Sequence, residues 1–315
     1  MGSTRTPLAT GQAWMVRAAR AVQGGAMADI IGPTSNYFYS QRLKLHYVDW
    51  GNVDKPMAIL VHGGRDHCRN WDWVALELRK HFHIIAPDLR GHGDSDWAIG
   101  GSYAMIDHVL DLNQLMNAIA NGPVTLIGHS LGAGVALQAA GVFPDSVKAL
   151  VAIEGLGPPS AMLRETPAYE RMEHWVGDMR ALAQRKPREY PNIEEALKRM
   201  CVANPHLTLE QARHLTIHGV RRNENGTYSW KFDNYTRAHS PYLFNLKDAT
   251  EIWSRIRCPT LLVRGDESWA GDWERDGRLD SFRTAELVTI RNAGHWVHHD
   301  QLAEFLAVVH RFLHL

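Results

Sequence analysis

Val124-Thr125-Leu126-Ile127-Gly128-His129-Ser130-Leu131-Gly132 is the stretch on which the fold turns. Its mostly apolar opening reads as a buried strand, and the Ala/Gly-rich run from Leu131 to Val142 repeats apolar residues at helical spacing. A serine between two glycines at that junction marks a nucleophile elbow, a strand-to-helix turn so sharp that glycine is needed where the backbones close on each side. Such a turn presents a hydroxyl at the top of a sheet, which makes Ser130 the candidate nucleophile.

Strand and helix patterns alternate on both sides of this turn. Leu43 to Trp50, Met57 to Val61, Phe82 to Ala86, Ala149 to Ile153, Thr260 to Val263 and Leu287 to Ile290 read as short apolar strands. Trp71 to Lys80, Ala104 to Ala120 and Gln301 to His314 carry apolar residues three and four apart, as helices do. This alternation predicts a doubly wound, mostly parallel α/β sheet covered on both faces, with the first two strands as an antiparallel, hairpin-like pair. Between Gly157 and about Ile256 the rhythm breaks. Ala161 to Arg185, Ile193 to Val202 and Leu207 to Thr216 read as helices there, the last with Thr208 as N-cap, followed by a turn and short strand over Glu224 to Phe232. The expected organisation is therefore a core over 37–156 and 257–315, with a mainly helical cap over 157–256.

At 315 residues the chain can hold one large α/β domain with an insertion. Lys+Arg and Asp+Glu each total 34, so no net field draws in nucleic acid or anionic lipid, and a neutral or apolar small molecule is the natural partner. No run is long enough to cross a bilayer, so no membrane insertion is expected. Cys68, Cys201 and Cys258 are odd in number and lack metal-ligand spacing, which points to a reduced, cytoplasmic setting rather than a disulfide framework. Residues 1–36 read as a loosely ordered N-terminal extension; Arg5, Arg17 and Arg20 lie in it without the apolar core of an export signal. Oligomeric state is not legible in any of these features.

Further motifs fall in a set order around Ser130: His62-Gly63-Gly64 after a buried strand, Arg90-Gly91-His92-Gly93-Asp94-Ser95, then Ala293-Gly294-His295-Trp296 near the C-terminus. From about Tyr39 to Leu315 the chain resembles the α/β-hydrolase superfamily, and in particular its esterase- and lactonase-like serine hydrolases with a helical cap. The resemblance implies an eight-stranded type of sheet, an oxyanion hole made by the N–H groups of Gly64 and Leu131, and His295 as the base. The chemistry suits those residue types. A neutral imidazole can take the proton from an attacking hydroxyl, and fixed backbone donors can hold the oxyanion that forms.

The acid departs from the commonest pattern of that superfamily, because Ser268 and Trp269 stand where an aspartate is usual after the glycine ending the seventh strand, here Gly265. Some relatives place a glutamate after the sixth strand instead, and Glu154 occupies that place; Asp266, Glu267 and Asp272 are the other candidates. His62, His92 and His129 read as turn or packing histidines, and Asp66 as a loop residue bonding nearby backbone. His298, His299 and Asp300 match no metal-site spacing and read as helix-start polarity, with Asp300 capping the final helix. Trp175, Trp230, Phe232, Tyr235, Tyr242 and Phe244 of the insertion, with Trp269 and Trp296, predict an apolar pocket; Trp175, Trp230, Trp269 and Trp296 are the expected substrate contacts. Arg164, Arg171, Arg221 and Arg222 read as a solvated face. The expected reaction is hydrolysis of an ester or lactone of a small apolar substrate through an acyl-enzyme, with no cofactor and no metal. Hydrolysis of a carbon–carbon bond in a diketone, or a ligand receptor without turnover on the same fold, are the alternatives.

Overall fold

Eight strands form one sheet in the order β1-β2-β4-β3-β5-β6-β9-β10. The structure, a computed structural model, describes residues 32–158, 166–238, 240–242, 244–270, 273 and 277–315. Of the expected N-terminal extension, residues 1–31 lie outside the described residues, as does Arg164 in the insertion. The strands are β1 (Thr34–Ser40), β2 (Leu43–Asp49), β3 (Met57–Val61), β4 (His83–Pro87), β5 (Val124–His129), β6 (Val147–Ile153), β9 (Thr260–Gly265) and β10 (Ala285–Ile290). From β4 to β10 every neighbouring pair is parallel, and β2 alone runs against both of its neighbours.

Period-two alternation along the central strands divides the core into two layers. Leu126, Leu150, Ala152 and Leu262 face one layer, covered by the helices Met105–Ile119, Leu131–Val142 and Leu246–Trp253. Ile127, Val151, Ile153, Leu261 and Val263 face the other, covered by Asp72–Leu78 and Leu302–Leu313. With apolar side chains on both faces, these strands read as continuous hydrophobic runs, which is why a buried parallel sheet was legible.

Three expectations need correction. The strands Leu43–Asp49 and Met57–Val61 do not pair with each other; β2 pairs with β1 on one side and β4 on the other, because β4 lies between β2 and β3. β1 begins at Thr34, inside the stretch set apart as an extension, and its alternating polar pattern is that of an edge strand with one wet face. The insertion also ends earlier than Ile256. Helix Leu246–Trp253 packs on Leu131–Val142, burying Ala249 and Trp253 in the main core, so it belongs to the sheet's covering layer.

What remains inserted between β6 and β9 is mainly helical: Ala168–Gln184, Ile193–Ala203 and Leu209–Gly219, then a hairpin of β7 (Val220–Arg222) and β8 (Tyr228–Trp230) and a short 3-10 turn, Asn234–Arg237. Thr208 does cap the third helix, its hydroxyl accepting from the Gln211 N–H in a capping box. That helix is tied down to the core. The Gln211 amide donates to the His299 carbonyl at 3.0 Å, the His67 ring to the Leu215 carbonyl at 3.0 Å, and His214 faces Asp72 at 3.1 Å. Further along, Tyr103 donates to Asp233 at 2.6 Å and Lys231 meets Asp94 at 2.9 Å. Helix Ala168–Gln184, by contrast, buries none of its residues.

Candidate active site

Ser130 sits between the end of β5 and the first residue of helix Leu131–Val142, with φ 53° and ψ −115°. A serine held in the left-handed region stores on the order of 1–3 kcal/mol of strain, and the surroundings must over-determine it. They do so through glycines. A Cβ on Gly132 would lie 2.2 Å from the Val61 carbonyl oxygen, and one on Gly128 would lie 2.5 Å from the Gly132 oxygen. The Ser130 N–H donates to the Ile153 carbonyl at 2.8 Å, pinning the turn to β6.

The loop after β10 brings His295 over this turn. Its Nε2 lies 2.9 Å from Ser130 Oγ, and its Nδ1 faces Glu154 Oε2 at 3.5 Å, an ion-pair separation rather than a full hydrogen bond. Glu154 follows β6 at φ 56° and is buried; Oε1 accepts the Gly265 N–H and Oε2 the Ser268 hydroxyl, each at 2.7 Å. Ser268, which stands where an acid is usual in the resembled family, thus orients the Glu154 carboxylate. Asp266 instead accepts from the Ala293 N–H, and Glu267 reaches across to His206 of the insertion at 3.5 Å. Asp272 lies outside the described residues. A hydroxyl bonded to an imidazole whose far nitrogen faces a fixed carboxylate can lose its proton as it attacks a carbonyl.

Gly64 and Leu131 stand together at the same mouth, and a Cβ on Gly64 would lie 3.9 Å from the Leu131 side chain. The Leu131 N–H belongs to the first turn of its helix, where no intrahelical carbonyl can satisfy it. His62 is fully buried in the neighbouring turn: it donates from Nδ1 to the Gly63 carbonyl at 2.7 Å and accepts the Leu89 N–H at 3.0 Å. Burial, with His92 close by, lowers its pKa to about 3, so it stays neutral and structural. His92 and His129 likewise bond backbone carbonyls, at Arg90 and at His295, and burial lowers both pKa values. His298 donates to Asn70 at 2.6 Å, and Asp66 binds Asn70 and the His67 N–H. Asp300 does not cap the final helix; it accepts the Gly294 N–H at 2.9 Å and so braces the turn that carries His295.

A cavity of about 790 Å³ opens over Ser130 and His295 toward the insertion. Trp230, Trp269 and Trp296 line it, with Phe232; Trp269 lies 4.8 Å, ring to ring, from His295. Trp175 does not line it; helix Ala168–Gln184 buries none of its residues and meets the cavity only at its C-terminal end, through Arg185. Phe244 packs into the main core instead, and Tyr242 is largely exposed. The wall is also far less apolar than the sequence suggested, since Arg221 and five other arginines line it together with Trp97 and Tyr190. Nothing in their spacing, scattered from Arg65 to Arg237, signals that they converge.

Residues 58–302 match the family model of the α/β hydrolase fold. An esterase of Mycobacterium tuberculosis, Rv0045c, is 27% identical over 294 residues, covering 91% of this chain and 92% of its own. Among solved structures, the hypothetical protein PA1622 from Pseudomonas aeruginosa superposes with a TM-score of 0.79 at 25% identity, covering 89% of this chain and 99% of its own. The thioesterase domain from the curacin biosynthetic pathway does so at 0.76 and 24% identity, covering 88% and 99%. With its sheet order and the extent of the family match, the chain belongs to the α/β hydrolase fold family, and its relatives support a hydrolase activity.

Proposed function

We propose that the protein is a serine hydrolase that cleaves an ester or lactone through an acyl-enzyme. The observation that carries this reading is the 2.9 Å contact between Ser130 Oγ and His295 Nε2 at a strained elbow beside a cavity. His295 Nε2 accepts the hydroxyl proton as Oγ attacks the carbonyl carbon. The N–H groups of Gly64 and Leu131 hold the oxyanion, which is worth about 3–4 kcal/mol per donor in comparable sites. Protonated His295 then donates to the leaving oxygen, and the freed imidazole activates water to release the acid. Glu154 fixes the tautomer that keeps the proton on Nδ1 and stabilises the imidazolium. The identity of the M. tuberculosis relative as an esterase agrees with this chemistry.

A panel of p-nitrophenyl esters and lactones assayed with the wild type and Ser130→Ala tests it. Turnover that falls by about 10⁶ in the variant is the expected outcome. Hydrolysis that survives the substitution would overturn the reading.

A further inference from the structure

Net charge is balanced over the whole chain, yet the cavity is not balanced. Arg65, Arg185, Arg188, Arg199, Arg221 and Arg237 line it, and Asp300 is the one acidic side chain among the described lining residues. The six come from the loop after Gly64, the end of helix Ala168–Gln184 and the loop beyond it, helix Ile193–Ala203, β7, and the 3-10 turn Asn234–Arg237. Separate elements have been folded so that their guanidiniums share one space. None of the six has a carboxylate partner or a side-chain hydrogen bond among the described residues, although the insertion carries many acids. Several of those acids are engaged elsewhere: Glu189 with Thr227 and Asn225, Glu195 with Lys198, Glu194 with Arg213, Asp233 with Tyr103.

Gathering like charges costs energy unless something of opposite sign is to be placed among them. Arg237 registers that cost: burial first, then Arg65, Arg185 and Arg199 around it, lower its pKa, and its Nε is buried with no hydrogen-bond partner. Three of the group are already oriented. Arg221 lies over Trp97 at 4.6 Å, Arg188 over Tyr190 at 5.3 Å and Arg237 over Phe232 at 5.3 Å. Stacking occupies the face of a guanidinium and leaves its in-plane N–H donors free, the geometry that suits bidentate binding of an oxyanion.

We infer that the substrate is an anionic ester, bearing a carboxylate or phosphate away from the scissile carbonyl, which the arginine group lining the cavity holds while the carbonyl lies at Ser130. This rests on the ester-hydrolase reading for the site at Ser130 and adds the charge of what enters it. Trp230, Phe232, Trp269 and Trp296 line the same cavity, so the substrate carries an apolar part as well and is amphipathic rather than wholly apolar.

The test is equilibrium binding by calorimetry to the full-length Ser130→Ala protein, so that turnover does not enter. The probes are mono-(4-nitrophenyl) glutarate, the 4-nitrophenyl ester of 3-phosphonopropionic acid, and neutral 4-nitrophenyl valerate. At low salt at least one anionic ester binds about tenfold or more tightly than the valerate, and added sodium chloride erodes the difference. The better of the two anionic probes tells carboxylate from phosphate. Arg199→Gln and Arg237→Gln each reduce the preference several-fold, and Arg199→Lys, which keeps charge but not the fork, restores it in part. Equal binding of all three probes, or a preference that neither glutamine substitution moves, overturns the inference. Failure of the ester-hydrolase reading shows separately, as turnover indifferent to Ser130→Ala.

Discussion

Two walls face each other across the cavity, and they are built on opposite principles. On the sheet side, β5 and β6 deliver Ser130 and Glu154 from buried strand ends, the Gly265 N–H at the end of β9 braces Glu154, and glycines hold the backbones in contact. On the side of the insertion, short helices and a two-stranded hairpin present exposed arginines and half-buried aromatic rings, with a small buried cluster of Tyr190, Ala196 and Val220 beneath them. Packing leaves the first wall little freedom, as the positioning of reacting atoms requires. The second is defined by charge and ring faces, which tolerate change without loss of the fold. Under the proposed function, chemistry is carried by the rigid wall and selection by the adaptable one.

The largest expected effect tests the rigid wall. Glu154→Gln keeps the shape but loses the charge beside His295, and kcat should fall by about 10⁴, while Asp266→Asn and Glu267→Gln stay within about twofold. Steady-state kinetics on the three variants decides it; a large loss at Glu267 would move the acid to the other strand. Next comes the boundary between the walls. Trp253→Ala should cost about 3–5 kcal/mol in urea unfolding, because Trp253 is nearly fully buried in the main core, whereas Trp175→Ala should cost under about 1 kcal/mol. Similar losses at both positions would erase the boundary at the start of helix Leu246–Trp253.

Acid should separate the walls as well. Burial lowers the pKa values of His62 and His299 to about 3 from 6.5, so between those limits the unfolded chain binds protons that the native state refuses. Their stabilising contribution is complete above pH 6.5 and is lost as pH falls toward about 3, each histidine making unfolding about 1.4 kcal/mol easier per pH unit. Urea midpoints should therefore drop steadily below pH 6.5; a flat profile down to pH 4 would mean that these rings are not sealed in the sheet-side wall. The smallest effect is at Ser268. Ser268→Ala removes one of the two hydrogen bonds that orient Glu154, and a loss of about tenfold in kcat with KM little changed is expected. Ser268→Thr, which keeps the hydroxyl, should restore much of it.

The same division explains what could be read in the residues alone. Strand runs such as Thr260 to Val263 and the elbow at Ser130 are local patterns, and helix Leu131–Val142 falls where its periodicity put it. Glu154 was singled out because it stands where some members of the resembled family carry a glutamate after the sixth strand; its carboxylate lies 3.5 Å from His295 Nδ1. β1 was missed since an edge strand alternates and lacks the apolar run. Arg221 was read as part of a solvated face, and the other five cavity arginines were not singled out, because convergence is a property of tertiary structure: nothing local distinguishes Arg221, over Trp97, from its neighbour Arg222. Asp300 was given a helix-capping role by its position, yet the chain curls so that its carboxylate meets Gly294 instead.

The 2.2 Å that would separate a Gly132 Cβ from the Val61 oxygen has a consequence for how this site can vary. The turn bearing Ser130 and the strand leading into His62-Gly63-Gly64 are pressed together until no methyl group fits between them, so the Ser130 hydroxyl and the Gly64 backbone proposed to work with it are held as a single part. Neither can drift without dragging the other. Diversification of such an enzyme, by selection or in the laboratory, therefore has one open direction, through exchange of the arginine-bearing insertion above an engine block that has no adjustable joints.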